Sequence, residues 1–573
     1  MANVEKLITE NLDTWSSAIK AKSSAGRGGG KKQELYGIKR LRELILELAV
    51  RGLLVAQDPN EEPASELLNR AAKEKEILIK GGEIKRKKVQ PEIDEHEKPF
   101  SLPSGWAWIR LSEAGHDWGQ KKPDSNFTYI DVGSINKEHG LVRDPDVLSP
   151  KKAPSRARKI VKKGTVIYST VRPYLLNIAV VSESFSPEPI ASTAFAIIHP
   201  FQGILAPFIY RYLRSPTFIN YVESCQTGIA YPAINDKQFF SGVLPIPPLA
   251  EQHRIVAKVD ELMALCDRLE QQQEDSLRTH DTLVQTLLGA VTAASKRGQF
   301  AQAWKRIESN FDTLFTTESS IDQLKQTILQ LAVMGKLVEQ DPEDEPAGSF
   351  LNQIAEKNIN KKALPKPKRT PYTVPESWEW STSGYIGEIK LGRQRSPKDH
   401  NGPNMVPYLR VANVHDNRLA LSDVKEMNFT PDEQKIFRLK AGDILLNEGQ
   451  SRELVGRPAL YREEIPGCCF QNTLLRLRVH EGVYPEYALL YFRSCLYSGR
   501  FQKAVKQTTN MAHLSAGRLS PIEFPLPPLA EQHRIVAKVD ELMALCDQLE
   551  ASLATAQATQ LNLADSLVEA AIH

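Results

Sequence analysis

At 573 residues the chain is too long for one hydrophobic core, and about three or four domains are expected of it. Its 41% hydrophobic and 25% charged residues exclude a disordered or fibrous chain, and its formal net charge of +3 singles out no partner. No run approaches the ~18 apolar residues of a membrane span. The opening MANVEKLITENLDTW carries acidic groups and lacks the apolar stretch of a signal peptide, so a cytoplasmic, non-membrane protein is expected. Cys225, Cys266, Cys468, Cys469, Cys495 and Cys546 show neither CxxC pairs nor a disulfide-dense spacing, so no metal site is expected.

Residues 1–99 read as a helical segment A interrupted by SSAGRGGGKK (Ser23 to Lys32), a Gly-rich surface linker. Segment A contains LELAVRGLLVAQDPNEEPA (Leu46 to Ala64) and closes on a Lys-rich, Pro-containing linker with the carboxylates of DEHEKP (Asp94 to Pro99), read as solvated. A variable region X follows over 100–245, opening on LPSGWAW. Residues 246–290 form a segment B that begins PPLAEQHRIVAKVDELMALCD. Its Ile255, Val256, Val259, Leu262, Met263, Leu265, Cys266 and Leu269 keep the spacing of one helical stripe. Glu251, Gln252, His253, Arg254, Lys258, Asp260 and Glu261 are expected on the opposite, outer face.

The pattern then recurs. Residues 291–364 hold A′ with LQLAVMGKLVEQDPEDEPA (Leu329 to Ala347) and a linker, 365–525 hold a region Y that opens near VPESWEW, and 526–573 hold B′. Pro247 to Glu270 and Pro527 to Glu550 agree at 23 of 24 positions, whereas X and Y share only echoes. These are YIDVGSIN with YLRVANVH, and KKGTVIYS with KAGDILLN. X and Y therefore read as one fold with different surfaces, and the paired stripes as a coiled coil. A helix from about Leu249 to Leu277, if continuous, is ~43 Å long, the length of about 13 base pairs. Either recombination or a shared partner for both outer faces explains the identity of B and B′.

Charge is segregated. X holds 16 Lys and Arg against 11 Asp and Glu, and Y holds 23 against 17. The run KKAPSRARKIVKK contributes Lys151, Lys152, Arg156, Arg158, Lys159, Lys162 and Lys163 with no acidic neighbour, as suits phosphate contact, although a solvated loop gives the same run. Side chains suited to base edges are interleaved with aromatics: Arg172, Tyr174, Tyr231 and Asn235 in X, and Arg393, Arg395, Asn447, Gln450, Arg452, Gln471, Asn472, Asn510 and His513 in Y. Arg172 and Asn447 are the first choices for base contact. No phosphate loop, dinucleotide fingerprint, amino-methyltransferase tetrapeptide, HExxH or GxSxG motif occurs, so no catalytic residue is assigned.

The PLPPLAEQHRIVAKVDELMALCD helix, the two half-repeats and the two unlike variable regions resemble the specificity (S) subunit of type I restriction-modification enzymes over almost the full chain. The resemblance implies an α+β fold: two mixed α/β target recognition domains joined by long antiparallel coiled-coil helices with a pseudo-two-fold repeat. It also implies a non-catalytic subunit that binds a bipartite site on double-stranded DNA, docks two modification (methyltransferase) subunits, and works with restriction subunits that are ATP-dependent translocases and nucleases. S-adenosylmethionine, ATP and Mg are expected on those partners and no cofactor on this chain. Glu251, Gln252, Arg254 and Leu262, with Glu531, Gln532, Arg534 and Leu542, are the residues expected to build the spacer and its docking surface. A helical scaffold without a DNA role, or a stand-alone methyltransferase or nuclease, are the alternatives.

Overall fold

The computed structural model describes residues 2–21, 33–86, 90–228, 231–357, 367, 370–508 and 511–572. They form two compact units, 1–276 with 556–573, and 277–555. Four helices organise them: α1 (Tyr36–Val50), α2 (Leu249–Ala293), α3 (Glu318–Val333) and α4 (Leu529–Ile572). Helix α2 gives residues 249–276 to the first unit and 277–293 to the second, and α4 gives 529–555 to the second and 556–572 to the first.

Each long helix starts where a doubled proline ends a strand. The Gln252 N–H donates to the Pro248 carbonyl at 2.9 Å, and the Gln532 N–H to Pro528 at 3.0 Å. In the first unit Ile255, Val259, Leu262 and Cys266 are buried with Leu41, Leu44, Leu48 and, from α4, Ala564 and Val568. In the second, Ile535, Val539 and Cys546 are buried with Ile321, Leu324, Ile328 and, from α2, Val284, Leu288 and Val291. Helix α2 thus exceeds the length read from its first stripe: 45 residues make it about 67 Å long, because the later stripe at Val284, Leu288 and Val291 has a core of its own. Leu262 is buried and Leu542 half-buried, so Leu262→Ala is expected to cost about 2 to 5 kcal/mol and Leu542→Ala distinctly less. Denaturant melts of the two variants check the order.

Regions X and Y share one domain fold. X has a sheet in the order Gly115–His116, Phe195–Pro200, Val166–Ser169, Ile178–Val180, Leu141–Val142, Ile135–Asn136, and a second in the order Asp146–Leu148, Phe127–Ile130, Pro189–Ser192, Ala157–Ile160. Y repeats the first as Gly387–Leu391, Leu474–Val479, Asp443–Asn447, Pro458–Tyr461, and the second as Lys425–Asn428, Met405–Leu409, Cys469–Phe470. Phe127–Ile130 runs parallel to Pro189–Ser192 just as Met405–Leu409 does to Cys469–Phe470, which accounts for the first sequence echo. The second echo is a turn into a strand. Thr165 Oγ1 accepts from the Lys162 N–H at 3.0 Å, and Asp443 Oδ2 accepts from the Lys440 N–H at 2.8 Å. In both units the ends of the region pair as antiparallel strands, Ala107–Arg110 with Val243–Ile246 and Glu379–Thr382 with Glu523–Leu526.

The repeated segments meet in one joint per unit. In the first, Trp106 Nε1 donates to Glu251 Oε2 at 2.9 Å, and Gln252 accepts from the Leu205 N–H while its amide donates to the Gly203 and Pro247 carbonyls. Arg254 pairs with Glu61, and the Ala64 N–H donates to the Gly105 carbonyl at 2.8 Å. In the second unit the same bonds join Trp378 to Glu531, Gln532 to Tyr484, Gly482 and Pro527, Arg534 to Asp344, and the Ala347 N–H to the Ser377 carbonyl. Gly52 and Gly335 sit in left-handed turns, where a Cβ would lie 2.5 Å from Pro103 and Pro375 respectively. Glu251, Gln252, Glu531 and Gln532 are therefore buried, not on the outer face expected of them. Burial pushes both glutamates upward in pKa, against the pull of the indole hydrogen bonds. Arg254 and Arg534 are half-buried and held by carboxylates of the A segments.

The linker after the first A segment is also tied down. Within DEHEKP, Asp94, Glu95, His96 and Pro99 are exposed as expected of a solvated stretch, but Glu97 accepts from the buried Arg110 through bonds of 2.7 and 2.8 Å. The Gly-rich insertion lies outside the described residues.

Candidate nucleic-acid interface

In each unit two loops converge at the end of a central strand. In X the loop after Val166–Ser169 meets the one before the helix Asp236–Ser241: the Ile234 N–H donates to the Thr170 carbonyl, and the Arg172 N–H to the Pro232 carbonyl at 2.8 Å. In Y the Leu514 N–H donates to the Glu448 carbonyl at 2.8 Å, and Gly449–Gln450 pairs with Met511–His513. The common bond aligns Thr170 with Glu448 and Arg172 with Gln450. Asn447 falls opposite Ser169, inside the strand.

The loop pair in X exposes apolar surface. Tyr231 is 69% exposed and Tyr174 53%, with Val171 and Leu175 also exposed. Arg172 and Leu176 have φ of 49° and 53°, a left-handed backbone that costs non-glycine residues about 1–2 kcal/mol each. The Arg172 guanidinium lies over the Tyr231 ring, 4.9 Å from its centroid. In Y the corresponding loops expose Arg452, Leu454 and Met511, with Gln450 and His513 half-buried beside them. The Gln450 side-chain oxygen accepts from the Ser451 N–H, and His513 Nδ1 lies 3.3 Å from Glu448 Oε2.

The basic run splits. Lys151, Lys152, Arg156, Lys162 and Lys163 are exposed, and the Lys162 ammonium sits 3.4 Å from the centroid of the Trp118 ring. Arg158 is half-buried and donates to the Ala157 carbonyl. Lys159 is buried, donating to the Phe195 carbonyl at 2.6 Å and pairing with Asp236, so it is a tie within X and not a DNA contact. The strand's alternation turns it inward between outward neighbours.

Two further sequence choices change, Asn447 and Arg393. Asn447 is fully buried, with both amide atoms lacking a partner among the described residues, and cannot reach a base edge. Asn235 is the N-cap of Asp236–Ser241 and accepts from the Gln238 N–H at 2.9 Å. Arg393 bonds Glu433, Asp399 and the Asn428 carbonyl inside Y. Arg395 is exposed and donates to the His400 ring. Gln471 and Asn472 are half-buried beside Arg393, whose N–H and carbonyl bond Phe470 and Asn472. Asn510 lies outside the described residues.

The sequence reading missed Val171, Leu175, Leu454 and Met511. Their only signal was apolar residues within stretches of turn-forming and polar ones.

Replacing Lys151, Lys152 and Arg156 together by Ala is expected to flatten the slope of log affinity against log salt by up to ~3 units, at ~0.9 per phosphate contact. Titration of the assembled complex with duplex across a salt series measures it. An unchanged slope removes the run from the interface.

The family model described as the type I restriction modification DNA specificity domain matches residues 118–279 and 375–556. The chain is 37% identical to the type I restriction enzyme EcoAI specificity subunit of Escherichia coli and 35% identical to the EcoEI specificity subunit of the same species, with all of each chain covered in both cases. A crystal structure of the HsdS subunit from Thermoanaerobacter tengcongensis is 23% identical, covering 83% of this chain and 98% of that one with a TM-score of 0.43. The sequence matches support neither the scaffold nor the stand-alone enzyme, and they make this the DNA-recognition rather than a catalytic subunit. A repeated recognition domain on a repeated helix, matched end to end by such relatives, places the chain in the specificity subunit family of type I restriction-modification systems.

Proposed function

We propose that the chain reads an asymmetric bipartite site on double-stranded DNA, with residues 100–245 on one half-site and 365–525 on the other. It hands the bound site to two modification subunits for adenine methylation, and to restriction subunits for ATP-dependent cleavage, in the cytoplasm. The observation that carries the reading is one domain fold built twice on the same buried joint, with different side chains on the converging loops. Exposed lysines and arginine of the basic run supply affinity that is independent of sequence, and the loop pairs supply base contacts. S-adenosylmethionine, ATP and Mg belong to the partner subunits.

Docking rests on what remains exposed once the joint is subtracted. His253, Ala257, Asp260, Glu261 and Ala264 are exposed on α2, and the identical His533, Ala537, Asp540, Glu541 and Ala544 on α4. Their spacing of four, three, one and three residues keeps them on one helical face. Two like faces suit two like partners.

The genomic methylation pattern of cells with and without the gene tests the reading. Two unlike half-sites separated by a fixed unread gap are expected to disappear with the gene. A contiguous motif, or none, contradicts it.

A further inference from the structure

We infer that Arg172, braced by Tyr231, reads a guanine in the half-site bound by region X; this rests on the proposed DNA reading of X. The Arg172 side chain makes no hydrogen bond or ion pair among the described residues, although its backbone is fixed on both sides. The Arg172 N–H donates to Pro232 at 2.8 Å, and the Arg172 carbonyl accepts from the Leu175 N–H at 3.0 Å. The guanidinium carbon lies over the Tyr231 ring, 4.9 Å from its centroid, and the guanidinium donors have no partner among the described residues.

Such an arrangement suits a planar pair of acceptors. An unbraced arginine loses rotamer freedom on binding; a stacked one is held before the ligand arrives. The paired acceptors of double-stranded DNA that match the fork are guanine O6 and N7 in the major groove, or two phosphate oxygens. Three observations favour the base. The residue sits among exposed Val171, Tyr174 and Leu175, apolar neighbours that suit base edges and thymine methyls better than a phosphate. Its left-handed backbone is a local cost retained at a loop tip. The aligned position in Y is Gln450, whose oxygen is engaged by its own neighbour's N–H, so the two regions differ here in base preference.

Tyr231 is then a positioning residue, acting through Arg172. Its loop is built for this, since the Thr227 and Ala233 backbones bond each other at 2.9 and 3.0 Å. Gly228 has φ of 91°, and a Cβ there would stand 2.9 Å from the Tyr231 carbonyl.

The test uses the assembled methyltransferase and duplexes that carry each single base-pair change in the half-site assigned to X. Arg172→Ala is expected to lower discrimination at one G·C pair by about 10- to 100-fold with the salt slope unchanged. Arg172→Lys keeps the charge but not the fork, and is expected to lose most of that discrimination. Tyr231→Ala is expected to lose about 3- to 10-fold at the same pair, and Tyr231→Phe, which keeps the ring, to retain it. Tyr231 is exposed and Arg172 half-buried, and unchanged melting of all four variants confirms intact folding. Unaltered base preference at every position in Arg172→Ala, or a loss uniform over all sequences with a flatter salt slope, overturns the inference in favour of phosphate or of no contact. If exchanging the whole of X also leaves both half-sites unchanged, the DNA reading of X fails with it; if that exchange changes a half-site, the inference alone fails.

Discussion

Gln252→Ala is expected to open the joint between α2 and region X. The side chain satisfies one backbone N–H, of Leu205, and two carbonyls, of Gly203 and Pro247, in a place closed to water. Unsatisfied buried groups cost about 1–3 kcal/mol each, and partial relaxation brings the total to about 2–4 kcal/mol. Hydrogen exchange at Leu205 is expected to quicken by roughly 30- to 1000-fold, while Tyr484 in the second unit keeps its protection. Gln532→Ala reverses the pattern, exposing Tyr484 and sparing Leu205. Unchanged protection in both variants would show that the glutamines do not hold the joints.

A larger effect is expected of Arg110→Ala. This guanidinium is buried and bonds both Glu97 oxygens and the carbonyls of Glu92 and Ser241, joining the linker to the strands that close X. Removing it leaves two carbonyls and the one-third exposed Glu97 carboxylate without their donor, at a cost of about 2–5 kcal/mol once water screening of Glu97 is allowed for. The Glu97 carboxyl is pulled down to about 2, first by its bonds from Arg110. A depressed carboxyl stabilises the fold at pH above its ordinary value near 4.5, and that contribution fades as pH falls toward 2. Wild type is therefore expected to lose this increment only in strong acid, and the variant to lack it at neutral pH. Thermal melts at pH 7 and pH 3 measure both; equal melting of the two proteins at pH 7 would deny the tie.

Periodicity revealed the helices because each is amphipathic along a sustained stripe, and the repeat revealed that X and Y share a fold. It did not reveal that the three short echoes, QDP-x-x-EPA, the Pro-x-x-Trp before each region and PPLAEQHR, converge on one joint. Glutamate, glutamine and arginine look like surface residues in any pattern, and only tertiary contact turned Glu251 and Gln252 inward. That contact adds a third reason for the identity of the two helix starts: each performs the same task inside its own unit. Exposure was legible where it follows from turn chemistry, as at Tyr174 and Tyr231. It was misread where a polar residue serves the domain itself, as at Lys159, Arg393 and Asn447. Nothing in local sequence separates a buried asparagine from an exposed one.

The central claim is that one fold, used twice, reads two halves of one site independently. Replacing residues 100–245 with the corresponding region of another specificity subunit, and mapping genomic methylation in cells carrying the chimera, tests it most directly. The account predicts one altered half-site, with the other half-site and the gap between them kept. Changes in both half-sites would contradict it.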